Sequence, residues 1–188
     1  MFANQLATYR NLITLKDGTR VLLRPLTPDD RSRLIELFAP VSTEDAKYLR
    51  DPVTDAETVG RWVDQLDYSR VVPLVAVVQD HLVGDVTLHF RTGPARHMGE
   101  LRIFLAKDFR RRGLGTHMLR TIIDLARKAG LHVLIAEIVA DQTKVIKAFQ
   151  NVGFEAQCKF EDAFMFPDGE TTDTVVLTMR LISREEEF

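Results

Sequence analysis

The sequence predicts an α+β fold, in which helices flank a mixed and mostly antiparallel sheet. Runs rich in β-branched residues follow one another closely between Val71 and Leu105, which is typical of antiparallel strands. A strongly amphipathic helix comes next, and a strand, a short helix and a hairpin complete the chain. No internal repeat or linker-like segment interrupts this order. We therefore expect one domain over residues 1–188.

The composition is that of an ordinary globular protein, with 45% hydrophobic and 28% charged residues. The net charge of −2 gives no reason to expect a nucleic acid or an anionic membrane as a partner. The single cysteine, Cys158, cannot form an internal disulfide. No apolar run approaches the ~18 residues of a membrane span. Residues 1–9 lack a signal-peptide pattern, so we expect a cytoplasmic protein.

A hairpin and two helical regions are predicted in the first third of the chain. Short apolar runs at Asn11–Leu15 and Thr19–Leu23 flank a glycine-containing turn. At Thr27, a capping hydroxyl precedes a proline and two acids, which is typical of a helix start. Thr54 and Glu57 form a capping-box pattern ahead of a second helix.

The other elements follow from hydrophobic periodicity. Apolar residues recur at helical spacing from Met118 to Ala129, and Gly130 stands where a helix would end. The remaining predicted elements are strands Val71–Val78, Leu82–Phe90, Gly99–Leu105 and Val133–Val139, helix Lys144–Asn151, hairpin strands Phe160–Met165 and Thr174–Leu181, and a frayed acidic tail at 183–188.

The segment that indicates chemistry is the turn Arg110-Arg111-Arg112-Gly113-Leu114-Gly115, between a strand and the amphipathic helix. Unpaired N–H groups at a helix N-terminus carry about half a positive charge, and glycines let the backbone close around a phosphate. The three arginines add charge that can hold further phosphates. The turn therefore favours an anionic cofactor that contains a pyrophosphate.

Other interpretations of this turn are weaker. A P-loop needs Gly-Lys-Ser/Thr, whereas Gly115 is followed by Thr116 and His117. A dinucleotide-binding turn needs a third glycine where Met118 stands, and a strand that ends directly before the first glycine. The purely structural alternative is a run of solvated arginines at a helix start that contains glycines.

The pattern Arg-x-x-Gly-x-Gly at Arg110, Gly113 and Gly115 resembles the acetyl-CoA signature of the GNAT superfamily of N-acetyltransferases, and the resemblance extends over about residues 71–181. It implies the GNAT fold and an acetyltransferase that uses acetyl-CoA as co-substrate and needs no metal. In this family a strand splays from its neighbour at a bulge, and its backbone pairs with the pantetheine arm of the cofactor. The residues that the resemblance assigns to the cofactor are Ile103, Phe104, Leu105, Arg110, Arg111, Arg112, Gly113, Leu114, Gly115, Thr116, Gln142 and Phe149.

Within the superfamily, the opening from Leu15 to Leu26 and the position of Glu100 are similar to the catalytic domain of Pat-type protein lysine acetyltransferases. This similarity implies that Glu100 is the general base. An exposed carboxylate or a salt bridge to Arg102 is the structural alternative for Glu100. His89 and His97 are reserve candidates for the base.

Two positions depart from the pattern of many GNAT enzymes. An asparagine and, about seven residues later, a tyrosine that protonates the leaving thiolate are replaced by Gln142 and Phe149. The usual general acid is therefore absent. The thiolate then leaves unprotonated or takes a proton from water, or the chain is a weak enzyme or a non-catalytic acyl-CoA sensor.

The resemblance implies direct attack of a primary amine on acetyl-CoA in a ternary complex, with a protein lysine as the expected acceptor. A protein N-terminus and a polyamine or aminoglycoside-like amine are the alternatives. Acids between Asp51 and Asp67 fit a cationic acceptor, although a solvated helix face explains them equally well. Whether the chain forms a homodimer stays open.

Overall fold

The structure of the protein is a computed structural model, which describes residues 6–182. The strands, which form one sheet, are β1 (Asn11–Thr14), β2 (Arg20–Pro25), β3 (Val71–Val78), β4 (His81–Phe90), β5 (Met98–Leu105), β6 (Val133–Val139), β7 (Glu155–Met165) and β8 (Thr171–Arg180). The helices between them are α1 (Arg31–Phe38), α2 (Thr43–Ala46), α3 (Ala56–Asp64), α4 (Leu114–Lys128) and α5 (Thr143–Gln150).

The strand order across the sheet is β1-β2-β3-β4-β5-β6-β8-β7. Neighbouring strands are antiparallel except for β5 and β6, which are parallel. A parallel pair needs a long crossover connection, and α4 provides it between these two strands. The C-terminal ends of β5 and β6 therefore lie at the same edge of the sheet, where α4 and α5 begin.

Helices cover both faces of the sheet. Leu74 and Ala76 of β3 pack in the core that contains α4 and α5, whereas Val75 between them packs in the core that contains α1 and α3. Successive side chains of a strand point to opposite faces, so the two cores lie on opposite sides of the sheet. The predicted fold class, a mostly antiparallel sheet with flanking helices, is confirmed.

Several element boundaries differ from those predicted. The N-cap of α3 is Asp55 rather than Thr54, and its carboxylate accepts hydrogen bonds from the backbone N–H groups of Glu57 and Thr58. Helix α4 begins at Leu114, two residues before the start near Thr116 that the glycine-containing turn predicts. Strand β7 begins at Glu155 rather than Phe160, and main-chain pairing with β8 holds this exposed segment. Helix α2 was not predicted, since four residues are too short to show helical periodicity.

Within residues 6–182, no helix is long and apolar enough to cross a membrane. The same residues contain no group of three or more His, Cys, Asp or Glu side chains arranged to hold a metal ion. The predicted frayed tail at 183–188 lies outside the described residues.

Candidate active site

The central strands of the sheet diverge. Strand β5 pairs with β6 only through Met98, Gly99 and Glu100. Beyond this point β5 stays paired with β4 as far as Leu105, and β6 stays paired with β8 as far as Val139. The predicted splay is therefore present, and the β6-facing edge of β5 from Leu101 onward has no strand partner. The predicted bulge is wrong, because the β4–β5 register has no shift and the strands separate by following different neighbours.

The N-terminus of α4 lies at the wide end of this opening. Gly113 is the N-cap of the helix, with φ of +85°, and Arg111 has φ of +60°, so the turn uses the left-handed region twice. No side chain caps the helix, which leaves the first N–H groups, from Leu114 to Thr116, free for a ligand. A Cβ on Gly115 would lie 3.3 Å from Leu105 Cδ1, so glycine allows the first turn to pack against β5. The loop thus places an anion site next to the splayed strand.

Two of the three arginines of the loop have intramolecular partners. Arg110 Nε donates to the Leu105 carbonyl at 3.0 Å, and its guanidinium pairs with Asp45 of α2 at 3.1 Å. Arg112 pairs with Asp17 at 2.5 Å, which ties the loop to the turn between β1 and β2. Arg111 is exposed and has no ion pair within residues 6–182. Arg110 and Arg112 therefore position the loop, and Arg111 is the arginine available to a phosphate.

Gln142 and Phe149, which the resemblance assigns to the cofactor, lie at the two ends of α5 and have different surroundings. Gln142 is the N-cap residue of α5 and makes no capping hydrogen bond through its side chain, so it remains available to a ligand. Phe149 is 1% exposed, and its ring packs edge-on against Phe154 with centroids 5.1 Å apart. Phe149 is therefore a core residue. A tyrosine hydroxyl at this position would enter the hydrophobic core.

Glu100 lies on β5 directly opposite His89 of β4. Its Oε1 accepts a hydrogen bond from Arg102 Nε at 3.0 Å, so the salt bridge considered from the sequence is present. Burial favours the neutral form of Glu100 and would raise its pKa. The charge and hydrogen bond of Arg102, together with the charge of Arg50, have the larger combined effect and lower the pKa of the carboxyl. Glu100 is therefore ionised at neutral pH and able to accept a proton.

His89 is neutral at the same pH. Burial, reinforced by the charge of Arg102, lowers its pKa to about 4. Its Nε2 lies 2.9 Å from Thr87 Oγ1. His97, the other reserve candidate, is exposed near the start of β5, and its ring lies 5.8 Å from that of His132. Only His89 of the two is close to Glu100.

A cavity of about 340 Å³ lies between β4–β5 and the helices α1 and α3. Its opening is lined by exposed charged residues, namely Arg50, Asp51, Asp67 and Arg70. Its closed end is lined by Leu34 and Phe38, which are 1% and 3% exposed. Ile103 and Phe104 form part of the wall, so the cavity borders the strand that the sequence assigns to the cofactor. Its volume lies within the range of small-molecule sites.

Asp85 is a functional candidate that the sequence analysis missed. This β4 residue lines the cavity, is 8% exposed, and its Oδ1 has no hydrogen-bond partner within the described chain. Burial raises the pKa of the carboxyl to about 7. The signal that could have identified it is an acid inside the otherwise apolar run Leu82–Val86. A buried carboxyl without a partner is costly to the fold and therefore suggests a ligand.

Asp85→Asn should stabilise the protein increasingly as the pH rises. The pKa of Asp85 is about 7 in the folded protein, against an ordinary value of 3.8. Ionisation of the buried carboxyl therefore lowers the free energy of unfolding. This penalty is absent below about pH 4 and complete above pH 7. The full penalty is on the order of 4 kcal/mol. Urea unfolding should show the advantage of the variant growing by roughly 2–3 kcal/mol between pH 5 and pH 8.

Asp30→Asn is the matched control, because Asp30 is fully buried but paired with Arg24 at 2.5 Å. Burial opposes its charge, but the hydrogen bonds of Arg24 and Thr27 outweigh it and lower the pKa of Asp30 to about 2. The stability that Asp30 contributes is present above its ordinary pKa and lost only as the pH falls towards 2. Asp30→Asn should therefore destabilise equally at pH 5 and pH 8. A stability change in Asp85→Asn that is also equal at both pH values would contradict a raised pKa at Asp85.

Comparison with known proteins places this site in a family. Residues 20–155 match the model of the acetyltransferase (GNAT) domain, which is well over half of the chain. The chain belongs to the GNAT acetyltransferase family. The GNAT domain of S. lividans PAT is similar to it with a TM-score of 0.78 and 26% identity, over 92% of this chain and 97% of that one.

Two further relatives extend the comparison. The structure of yncA from Salmonella typhimurium with its cofactor acetyl-CoA shares the fold, with a TM-score of 0.75 and 19% identity over 87% of this chain and 95% of that one. An L-methionine sulfoximine/L-methionine sulfone acetyltransferase of Pseudomonas aeruginosa is 36% identical over 56 residues, which are 30% of this chain and 33% of that protein. The chain spans about a third of the length of the curated relatives it matches.

Proposed function

We propose that the protein is an N-acetyltransferase, which binds acetyl-CoA between β5 and β6 and transfers the acetyl group to a primary amine. The observation that carries this proposal is the uncapped N-terminus of α4, which lies beside the unpaired edge of β5. The helix end suits the pyrophosphate, and the free strand edge suits an extended amide-containing arm. Arg111 and Gln142 are the nearby polar side chains that remain available.

The acceptor must lose a proton before it can react. An amine with a pKa near 10.4 is neutral in only about one molecule in 2,500 at pH 7, a deficit of roughly 4.6 kcal/mol. The thioester of acetyl-CoA supplies the electrophilic carbonyl. In this proposal Glu100, which is ionised and half-buried, takes the proton from the amine directly or through a water. Unpaired N–H groups along β5 donate to the oxyanion that develops on the carbonyl.

Protein lysine is the acceptor that the Pat-type resemblance favours, and the 26% identity with the S. lividans PAT domain supports it. A small cationic amine is the second candidate. The observation that favours it is the cavity of about 340 Å³, whose volume suits a small molecule and whose lining includes the buried carboxyl of Asp85. Both candidates share the same cofactor site and the same base.

Acetyl-CoA should stabilise the folded protein. A ligand that binds only the folded state contributes about 2.7 kcal/mol at one hundred times its dissociation constant. Thermal unfolding with and without millimolar acetyl-CoA measures this effect, and NADH serves as the control ligand. A melting temperature that rises with NADH but not with acetyl-CoA would contradict the proposed cofactor. Stabilisation by acetyl-CoA without thiol release against any amine would instead indicate an acyl-CoA sensor.

A further inference from the structure

The buried carboxyl of Asp85 has no role in the chemistry described so far. The residue is more than nine-tenths buried, lines the closed end of the cavity, and leaves Oδ1 without a hydrogen-bond donor in the described chain. The neighbouring side chains Leu34, Phe38 and Phe104 are apolar and cannot donate to it. This carboxyl can therefore accept a hydrogen bond from water or from a ligand that enters the cavity.

The position of Asp85 relative to Glu100 is set by strand register. Asp85 lies opposite Phe104 on β5, and His89 lies opposite Glu100. Phe104 and Glu100 are four residues apart on one strand, so the two carboxyl-bearing residues are about 13 Å apart along the sheet and point to the same face. His89 and Arg102, which flank Glu100, line the same cavity as Asp85. The cavity therefore extends from the buried carboxyl to two residues that lie directly beside the proposed base.

From this geometry we infer that Asp85 binds a second cationic group of the acceptor, whose reacting amine lies near Glu100. The inference rests on the acetyltransferase function proposed above, and it assigns the acceptor to the class of diamines and polyamines. One ammonium group pairs with the carboxylate at the closed end of the cavity. The methylene chain crosses the apolar wall, and the other amine faces the acetyl group.

The residues that line the cavity suit an acceptor that has an alkyl chain with a positive charge at each end. Methylene groups are stabilised by contact with Phe38 and Phe104, whereas a buried carboxylate needs a positive partner to offset its lost hydration. A monoamine of the same length would put a methyl group against Asp85 and leave the carboxyl unpaired. The site should therefore discriminate strongly between these two acceptors, because hydrogen bonds to charged groups are among the strongest in proteins.

The test is a thiol-release assay with unbranched α,ω-diamines and with n-alkylamines of matched chain length. In the wild-type protein kcat/KM should favour the best diamine by roughly 10- to 100-fold over its matched monoamine. Asp85→Asn should abolish this preference, mainly by raising the KM of the diamine. Asp64→Asn, at an exposed acid of α3 that is not part of the cavity lining, is the control for general acidity and should keep the preference for diamines.

Equal rates for diamines and monoamines in the wild-type protein would overturn the inference, as would a preference that survives in Asp85→Asn. Lysine-containing peptides that outperform every diamine would also overturn it, while leaving acetyl transfer intact. Should no amine release thiol, calorimetric titration of the same diamines into the protein with coenzyme A still decides the point. Binding of diamines must then be weaker in Asp85→Asn by the same factor, and equal binding would refute a role for Asp85.

Discussion

Glu100→Gln should lower kcat by about 10² to 10⁴ and leave the affinity for acetyl-CoA unchanged. Glutamine keeps the shape of the side chain and an oxygen that accepts the Arg102 hydrogen bond, but it cannot take a proton. Because Arg102 holds the pKa of Glu100 below its ordinary 4.5, the acid limb of kcat/KM that reports this group should lie below that value. Steady-state kinetics from about pH 3 to pH 9 measures both effects.

Asp64→Asn is the control for this prediction, since it breaks the exposed Arg31–Asp64 pair at 3.1 Å. An exposed pair contributes at most about 1 kcal/mol to stability, so turnover of this variant should be normal. Near-normal turnover in Glu100→Gln would mean that Glu100 only positions Arg102. An acid limb near pH 7 that disappears in Asp85→Asn would assign the proton to Asp85 instead.

Gly113→Val should abolish the stabilisation by acetyl-CoA and leave a folded protein. Gly113 has φ of +85°, which a β-branched residue adopts only with strain, so the turn should open and withdraw the N–H groups that face the pyrophosphate. An added Cβ meets no atom within 4 Å, which means that the core is not disturbed. Thermal unfolding with acetyl-CoA should then show a loss of the full effect of about 2.7 kcal/mol.

The other end of α4 provides a matched control. Gly130 has φ of +79° and equally open space around its Cα, so Gly130→Val imposes similar strain far from the loop. This variant should lose stability without acetyl-CoA yet keep the ligand-induced shift. A shift that survives in Gly113→Val, or that disappears in both variants, would show that the loop is not the cofactor site.

Much of the fold follows from local sequence. The β-branched-rich runs of β3 and β4 and the apolar stripe of α4 are strong signals because their side chains enter the cores, and these elements form close to where they were expected. The start of β7 was missed although Ala156, Cys158 and Phe160 alternate with polar residues, and the four-residue α2 is too short to show a period. Both are exposed, and contacts distant in sequence hold them: pairing with β8 for β7, and the ion pair of Asp45 with Arg110 for α2.

The candidate site also has parts that local sequence predicts and parts that depend on contacts distant in sequence. The anion loop could be derived from Gly113 and Gly115, because glycine spacing and a helix start act locally. The partners of Arg110 and Arg112 could not, since Asp45 and Asp17 come from distant segments of the chain. Asp85 stands out in the sequence as an acid within an apolar run, but the cavity that it lines depends on α1 and α3, which are distant in sequence. Phe149, assigned to the cofactor by resemblance, turned out to be fully packed in the core.

The central claim, that the protein transfers an acetyl group from acetyl-CoA to an amine, is tested most directly by mass spectrometry of the acceptor. The protein should be incubated with acetyl-CoA and a panel of diamines, monoamines and lysine-containing peptides, while free thiol is measured in parallel. The account predicts one acetyl group on an acceptor nitrogen for each thiol released, and it predicts loss of both products in Glu100→Gln. Thiol release without any acetylated acceptor, or no product with acetyl-CoA bound, would contradict it.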